Sequence, residues 1–184
     1  IHNAVERITP APCNVIREKY GLEKDSYILY VGRISPEKGP QDLLEAYQKL
    51  RLQERLVLAG PIPETEFGKE MTKRIDADPR VIRTGLVQGQ ELAELFSNCR
   101  LFVLPSHTEG LSLALLEAMS CGGRCLVSDI PANTVITGQY GAEFETENID
   151  SLAAALSKEV TTPKDEVLLK QEWNMSKKIL IMMQ

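Results

Sequence analysis

The sequence predicts an α/β domain with a doubly wound, parallel, Rossmann-like sheet. Three observations predict it. Short apolar runs recur along the chain, each ended by a turn former. Amphipathic stretches of helical period lie between them. Glycines and polar residues gather just after the apolar runs, where an open α/β sheet binds its ligand.

The predicted elements follow in chain order. Tyr27–Val31 (YILYV) reads as a buried strand ended by Gly32. Residues 40–50 read as a helix: Pro40 suits its first position, and Leu43, Leu44, Tyr47 and Leu50 share one face. Leu56–Ala59 (LVLA) is the next strand, ended by Gly60, with a helix over 66–77 after it. Val81–Arg83 is a shorter strand before Thr84 and Gly85, and a helix covers 90–98. Arg100–Leu104 (RLFVL) leads into Pro105 and Ser106, then a helix over 112–119. Cys125–Ser128 (CLVS) leads into Asp129, and a last helix spans 149–160, with Asn148 or Asp150 as its cap. Repeated βα units with right-handed crossovers give a parallel sheet covered on both faces. Gly60 and Gly85 suit either ordinary turn chemistry or close approach to a ligand. The stretch from Thr161 to Gln184 is charged, punctuated by Pro163, and reads as one or two terminal helices.

Composition bounds the function. The 184 residues suffice for one domain with its own core, and 43% hydrophobic with 26% charged residues is an ordinary globular balance. A net charge of −5 speaks against a nucleic-acid binder, which would carry a basic face, and says nothing about a single basic pocket. Cys13, Cys99, Cys121 and Cys125 are scattered without a disulfide-framework spacing, and neither histidine lies near Cys121 and Cys125. Reduced cysteines in a cytoplasmic protein and no metal site are expected. The chain opens on Ile1-His2-Asn3-Ala4 with no basic start or apolar core of a signal peptide, as expected of a fragment or processed chain. No run approaches the roughly 20 apolar residues that span a bilayer.

Two segments carry chemistry. Val31-Gly32-Arg33-Ile34-Ser35-Pro36-Glu37-Lys38-Gly39 leaves a strand and enters a helix. It has neither the Walker A nor the dinucleotide glycine spacing. It does place Arg33 and Lys38 at the ligand edge, where a guanidinium fork and an ammonium suit a diphosphate. The second segment runs from Glu109 to Met119. Gly110 and the first free amides of the following helix form an anion site, and Glu109 just before it can accept from sugar hydroxyls. Glu117 is expected at the ligand edge if it shares the face of Leu113, where its carboxylate could grip a ribose diol. Leu115, Leu116, Ala118 and Met119 around it predict a buried helix, and a buried glutamate needs a partner. His107 is expected to line the cleft, and Arg124 reads as a loop cation.

These segments resemble the family-4 retaining glycosyltransferases, whose enzymes have the GT-B fold. The likeness lies in G-R-x-x-x-E-K-G after a strand and, further along, L-P-S-x-x-E-G with E-A-M beyond it. The opening Ile1-His2-Asn3-Ala4-Val5-Glu6 is similar to the segment that links the two halves of such enzymes. Gly141 to Phe144 with Asp150 to Ala153 is similar to their ending. Gly122-Gly123-Arg124 departs from the usual Gly-x-Pro, and Ser112 replaces a usual glycine.

The resemblance implies roles. Arg33 and Lys38, with the backbone of Gly110, Leu111 and Ser112, would bind the donor diphosphate. Glu109 would hold the hexose and stabilise positive charge at its anomeric carbon, Glu117 would bind the ribose, and Leu86 and Val87 would sit beside the nucleobase. The donor would be a UDP-, GDP- or ADP-sugar, and no metal or other cofactor would be needed. Residues 1–160 would be the C-terminal, donor-binding domain, with residues 1–10 as linker and 161–184 as a helical tail. The N-terminal acceptor domain would lie outside this sequence, so the fragment alone would be inactive. The full enzyme would be cytoplasmic, at the inner membrane face where its acceptor is a lipid or growing polysaccharide. A GT-B phosphorylase or epimerase, and a non-catalytic binding or interaction domain, are the alternatives.

Overall fold

The strand β1 (Tyr27–Val31) stands at the middle of a six-stranded, wholly parallel sheet. The structure is a computed structural model, and it describes residues 10–164. The other strands are β2 (Arg55–Ala59), β3 (Val81–Gly85), β4 (Leu101–Leu104), β5 (Cys125–Ser128) and β6 (Ala142–Phe144), in the spatial order β3-β2-β1-β4-β5-β6. This is the doubly wound order of dinucleotide-binding sheets. The helices among the described residues are α1 (Val15–Tyr20), α2 (Pro40–Gln48), α3 (Glu66–Asp76), α4 (Gly89–Asn98), α5 (Leu113–Ser120), α6 (Pro131–Thr137) and α7 (Ile149–Thr161). None of them is long and apolar enough to cross a membrane.

The apolar strands are continuous because both sheet faces are covered. Side chains alternate between two cores. Tyr27 and Leu29 of β1, with Val57, Phe102 and Leu104, pack on one face beneath Ile16, Leu95, Phe96, Leu116 and Met119. Ile28 and Tyr30, with Leu56, Leu58, Leu101 and Val103, pack on the other beneath Leu43, Tyr47, Met71, Leu152 and Leu156. Caps fix three helix starts: Thr65 accepts from the Gly68 amide, Ser112 from Leu115 and Asn148 from Ser151. Asn148, not Asp150, is therefore the cap of α7.

Three elements go beyond the sequence prediction. α1 is six residues long, too short to be stable on its own, and is fixed by Glu94 from α4. The Glu94 side chain is fully buried and accepts from the amides of Asn14 at 2.9 Å and Ile16 at 3.2 Å and from Gln90 at 3.0 Å. α6 starts on Pro131, a signal the sequence carried. β6 pairs with β5 although only Phe144 of its three residues is buried. Arg124 lies in the loop before β5, as expected, and its charge is paired. Its Nε lies 2.6 Å from Glu159 on α7, and both side chains are largely buried, so each supplies the charge the other needs. Arg100 adds hydrogen bonds to the carbonyls of Val160 and Thr162, closing the α7 C-terminus. The linker-like residues 1–9 and the tail from 165 onward lie outside the described residues.

β1 leads outward to β2, and β4 leads outward to β5 in the other direction, so the sheet reverses between them. The crevice above that switch point is where such folds bind ligands. Its walls are the loops after β1 and after β4. They meet at Gly39, whose φ is +68° and where a Cβ would fall 2.0 Å from the Pro105 carbonyl oxygen. Gly60 does the same on the neighbouring strand, where a Cβ would fall 1.9 Å from the Gly32 oxygen. Gly60 is thus a close-packing residue.

Two outcomes follow from these contacts. Gly39→Ala combines a left-handed backbone with a backbone clash and lowers unfolding stability by about 3 kcal/mol or more, measured by urea titration. Glu94 titrates below its ordinary value of 4.5: burial pushes its carboxyl up, and the donors from Asn14, Ile16 and Gln90 outweigh burial. Its contribution to stability is therefore complete above about pH 4.5 and is lost as pH falls through the lowered native value. Glu94→Gln flattens this acid limb in urea titrations at stepped pH, and an unchanged acid limb would contradict the assignment.

Candidate functional site

The loop after β1 is pinned from below. The Gly32 amide donates to the Ala59 carbonyl at 2.9 Å and the Ile34 amide to that of Pro61 at 3.0 Å. The Tyr30 hydroxyl, rising from the buried strand, donates to the Arg33 carbonyl at 2.7 Å. Burial, with Glu109 and Glu37 close by, pushes the Tyr30 phenol up, so it stays a neutral donor. With Ile34 buried and Tyr30 underneath, Arg33 is left exposed on the loop that walls the crevice. A 3-10 turn, Pro36–Lys38, then brings Lys38 over the switch point.

The loop after β4 meets it there. Lys38 Nζ donates to Glu109 Oε2 at 2.8 Å. The Ser106 hydroxyl donates to Glu109 Oε1 at 2.7 Å. The Glu109 side chain is only 6% exposed, so the carboxylate is a nearly buried anion with a donor on each oxygen. The backbone joins the loops again where the His107 amide donates to the Glu37 carbonyl at 2.9 Å. The Ser35 hydroxyl, donating at 2.6 Å, holds the Glu37 carboxyl below the usual carboxylate range.

The remaining sequence-predicted residues are placed as follows. Gly110 and Leu111 are exposed in front of α5, and Ser112 is buried as its cap. The α5 N-terminus therefore opens beside Glu109 with its positive dipole end. Glu117, in the second turn of α5, is half-buried and not enclosed as the flanking leucines suggested. Val87 is buried in the core, whereas Leu86 is 69% exposed beyond β3. His107, on the loop after β4, is held by two carboxylates: Nε2 lies 2.6 Å from Asp42 on α2, and Nδ1 lies 3.5 Å from Glu147. Sequence reasoning missed Tyr30 and Ser106 as supports of the site. The serine sat in the L-P-S motif, but nothing there showed what its hydroxyl would hold.

A diphosphate is the ligand this arrangement suits chemically. It would meet an exposed guanidinium, a lysine and a helix N-terminus on one side and a fixed carboxylate on the other. A double-mutant cycle tests the central contact: Lys38→Met and Glu109→Gln, measured by urea unfolding, show a coupling of about 1 kcal/mol. Additive effects would mean that the pair contributes nothing in solution.

The chain matches known proteins over most of its length. The family described as "Glycosyl transferases group 1" matches residues 14–174. O-antigen chain mannosyltransferase B of Escherichia coli is 32% identical over 151 residues, covering 79% of this chain and 40% of that protein. The GDP-mannose-dependent alpha-(1-6)-phosphatidylinositol monomannoside mannosyltransferase of Mycolicibacterium smegmatis is 26% identical over 161 residues, covering 81% of this chain and 42% of that protein. Among solved structures, Anabaena HepE in complex with UDP has the same fold, with a TM-score of 0.78 and 19% identity, covering 91% of this chain and 49% of that one. The chain thus spans less than half the length of these proteins.

Proposed function

The chain belongs to the group 1 glycosyl transferases, of GT-B fold, and on that premise we propose that it is the donor-binding domain of a retaining hexosyltransferase. The observation that carries the proposal is the bond from Lys38 to Glu109 at the switch point, on a β1 loop that also carries the exposed Arg33. Arg33, Lys38 and the α5 N-terminus with Gly110, Leu111 and Ser112 take the donor diphosphate. Glu109 faces the hexose, Glu117 the ribose, and Leu86 the base, with Val87 buried behind it and adjoining the base through its backbone alone. The named relatives support a nucleotide-sugar donor, with a mannosyl donor as the first to test.

In the reaction, the bond between the anomeric carbon and the β-phosphate oxygen breaks, and its electron pair stays on that oxygen. Arg33, Lys38 and the helix end stabilise the charge that develops there. Glu109 stabilises the positive charge on the sugar. The acceptor hydroxyl bonds to the anomeric carbon from the same face and gives its proton to the departing phosphate oxygen, so configuration is retained. The acceptor is held by a second domain outside this sequence, a reading supported by the chain's share of its relatives. The buried thiols of Cys13 and Cys99, held in no disulfide among the described residues, support a reducing, cytoplasmic setting.

Ligand-observed NMR with UDP, GDP and ADP, without and then with magnesium, tests the donor site. One diphosphate binds selectively, and Arg33→Ala and Glu117→Ala each weaken it about tenfold or more. Binding that neither variant alters would sink the site assignment.

A further inference from the structure

Behind Glu109 lies a run of buried polar side chains that the proposed chemistry leaves unused. Asn133 on α6 donates through Nδ2 to the Ser128 hydroxyl oxygen at 3.0 Å. Ser128, the last residue of β5, donates through its hydroxyl to the Ser106 carbonyl at 2.5 Å. The Ser106 hydroxyl then donates to Glu109 Oε1. Ser106, Ser128 and Asn133 are each 0% exposed. Burying three polar side chains costs free energy that their hydrogen bonds roughly offset, so apolar residues of similar size would serve the core at least as well. Asn133 is costlier still, because its buried Oδ1 accepts nothing from any described residue. Their common effect is at Glu109: Ser128 fixes the Ser106 backbone, and Ser106 fixes the carboxylate.

Lys38 and Ser106 hold Glu109 differently. The Lys38 side chain is 31% exposed at the end of a flexible stem, and the diphosphate reading gives it a second anion to serve. The Ser106 hydroxyl is enclosed, and among the described residues it donates to Glu109. We propose that Ser106 is a positioning residue for Glu109, anchored from β5 and α6 by Ser128 and Asn133. It keeps the carboxylate aimed at the hexose while Lys38 engages the diphosphate. This rests on the reading of Glu109 as the residue that faces the donor sugar.

The test uses this chain with Ser106→Ala, and Ser128→Ala as a second variant should the first not fold. Calorimetry compares GDP-mannose with GDP, and UDP-glucose with UDP. The expected result is a loss of about tenfold for the nucleotide sugar that the chain binds, with its free diphosphate within about twofold of wild type. An equal loss for both, or no loss for either, overturns the proposal. A readout independent of ligand is the carboxyl carbon resonance of Glu109 in glutamate-labelled chain. It moves in both variants and not in Thr108→Ala, and an unmoved resonance also overturns the proposal. If wild type binds none of the four probes, the donor reading fails by itself, and the Glu109 resonance still decides whether Ser106 sets that carboxylate.

Discussion

The loops after β1 and β4 can meet only because position 39 carries no side chain. Everything proposed for the crevice depends on that approach. The Gly39 Cα lies against the Pro105 carbonyl so closely that a methyl group would overlap it. The approach puts Lys38, one residue earlier, within hydrogen-bond reach of Glu109, four residues beyond Pro105. It also lets the His107 amide find the Glu37 carbonyl. The sheet order supplies the place, since the chain leaves β1 and β4 in opposite directions, and the glycine supplies the distance.

Much of this architecture is legible in the sequence, for a physical reason. β1, β2, β4 and β5 are buried on both faces, so their residues are almost all apolar and their ends are marked by glycine, proline or aspartate. β6 escapes because it lies at the sheet edge, where Glu143 can face solvent. α1 escapes because its stability is tertiary: the carboxylate that satisfies its first amides comes from Glu94, on a helix distant in sequence. Arg33 and Lys38 stood out because both flank one βα turn at the ligand edge, and Glu109 because it sits just before the first free amides of a helix.

The pairing of those charges was not legible. No periodicity or spacing says that Lys38 bonds Glu109, that Arg124 bonds Glu159, or that His107 turns to Asp42. Each pair joins elements brought together only by the parallel register. Arg124 shows the consequence: read alone it is a loop cation after two glycines, and in the fold it is half of a largely buried ion pair. Ser128 looked like the polar end of an apolar strand, yet its hydroxyl reaches the loop of the neighbouring strand.

The ion pair at the centre of the crevice gives the proposed donor site a direction. Two unit charges at about 4 Å attract by roughly 4 kcal/mol at an effective dielectric near 20, before desolvation and side-chain ordering are subtracted. A diphosphate beside Arg33 offers Lys38 more negative charge than one carboxylate does. Drawing the lysine away, however, leaves Glu109 Oε2 nearly buried and short of a donor, which is costly. A free nucleoside diphosphate cannot repair that loss, whereas a sugar hydroxyl at the same oxygen can. On this reading the phosphate and sugar contacts reinforce each other. The Ser106 hydroxyl, which stays on Oε1, gives the sugar a carboxylate already facing the right way.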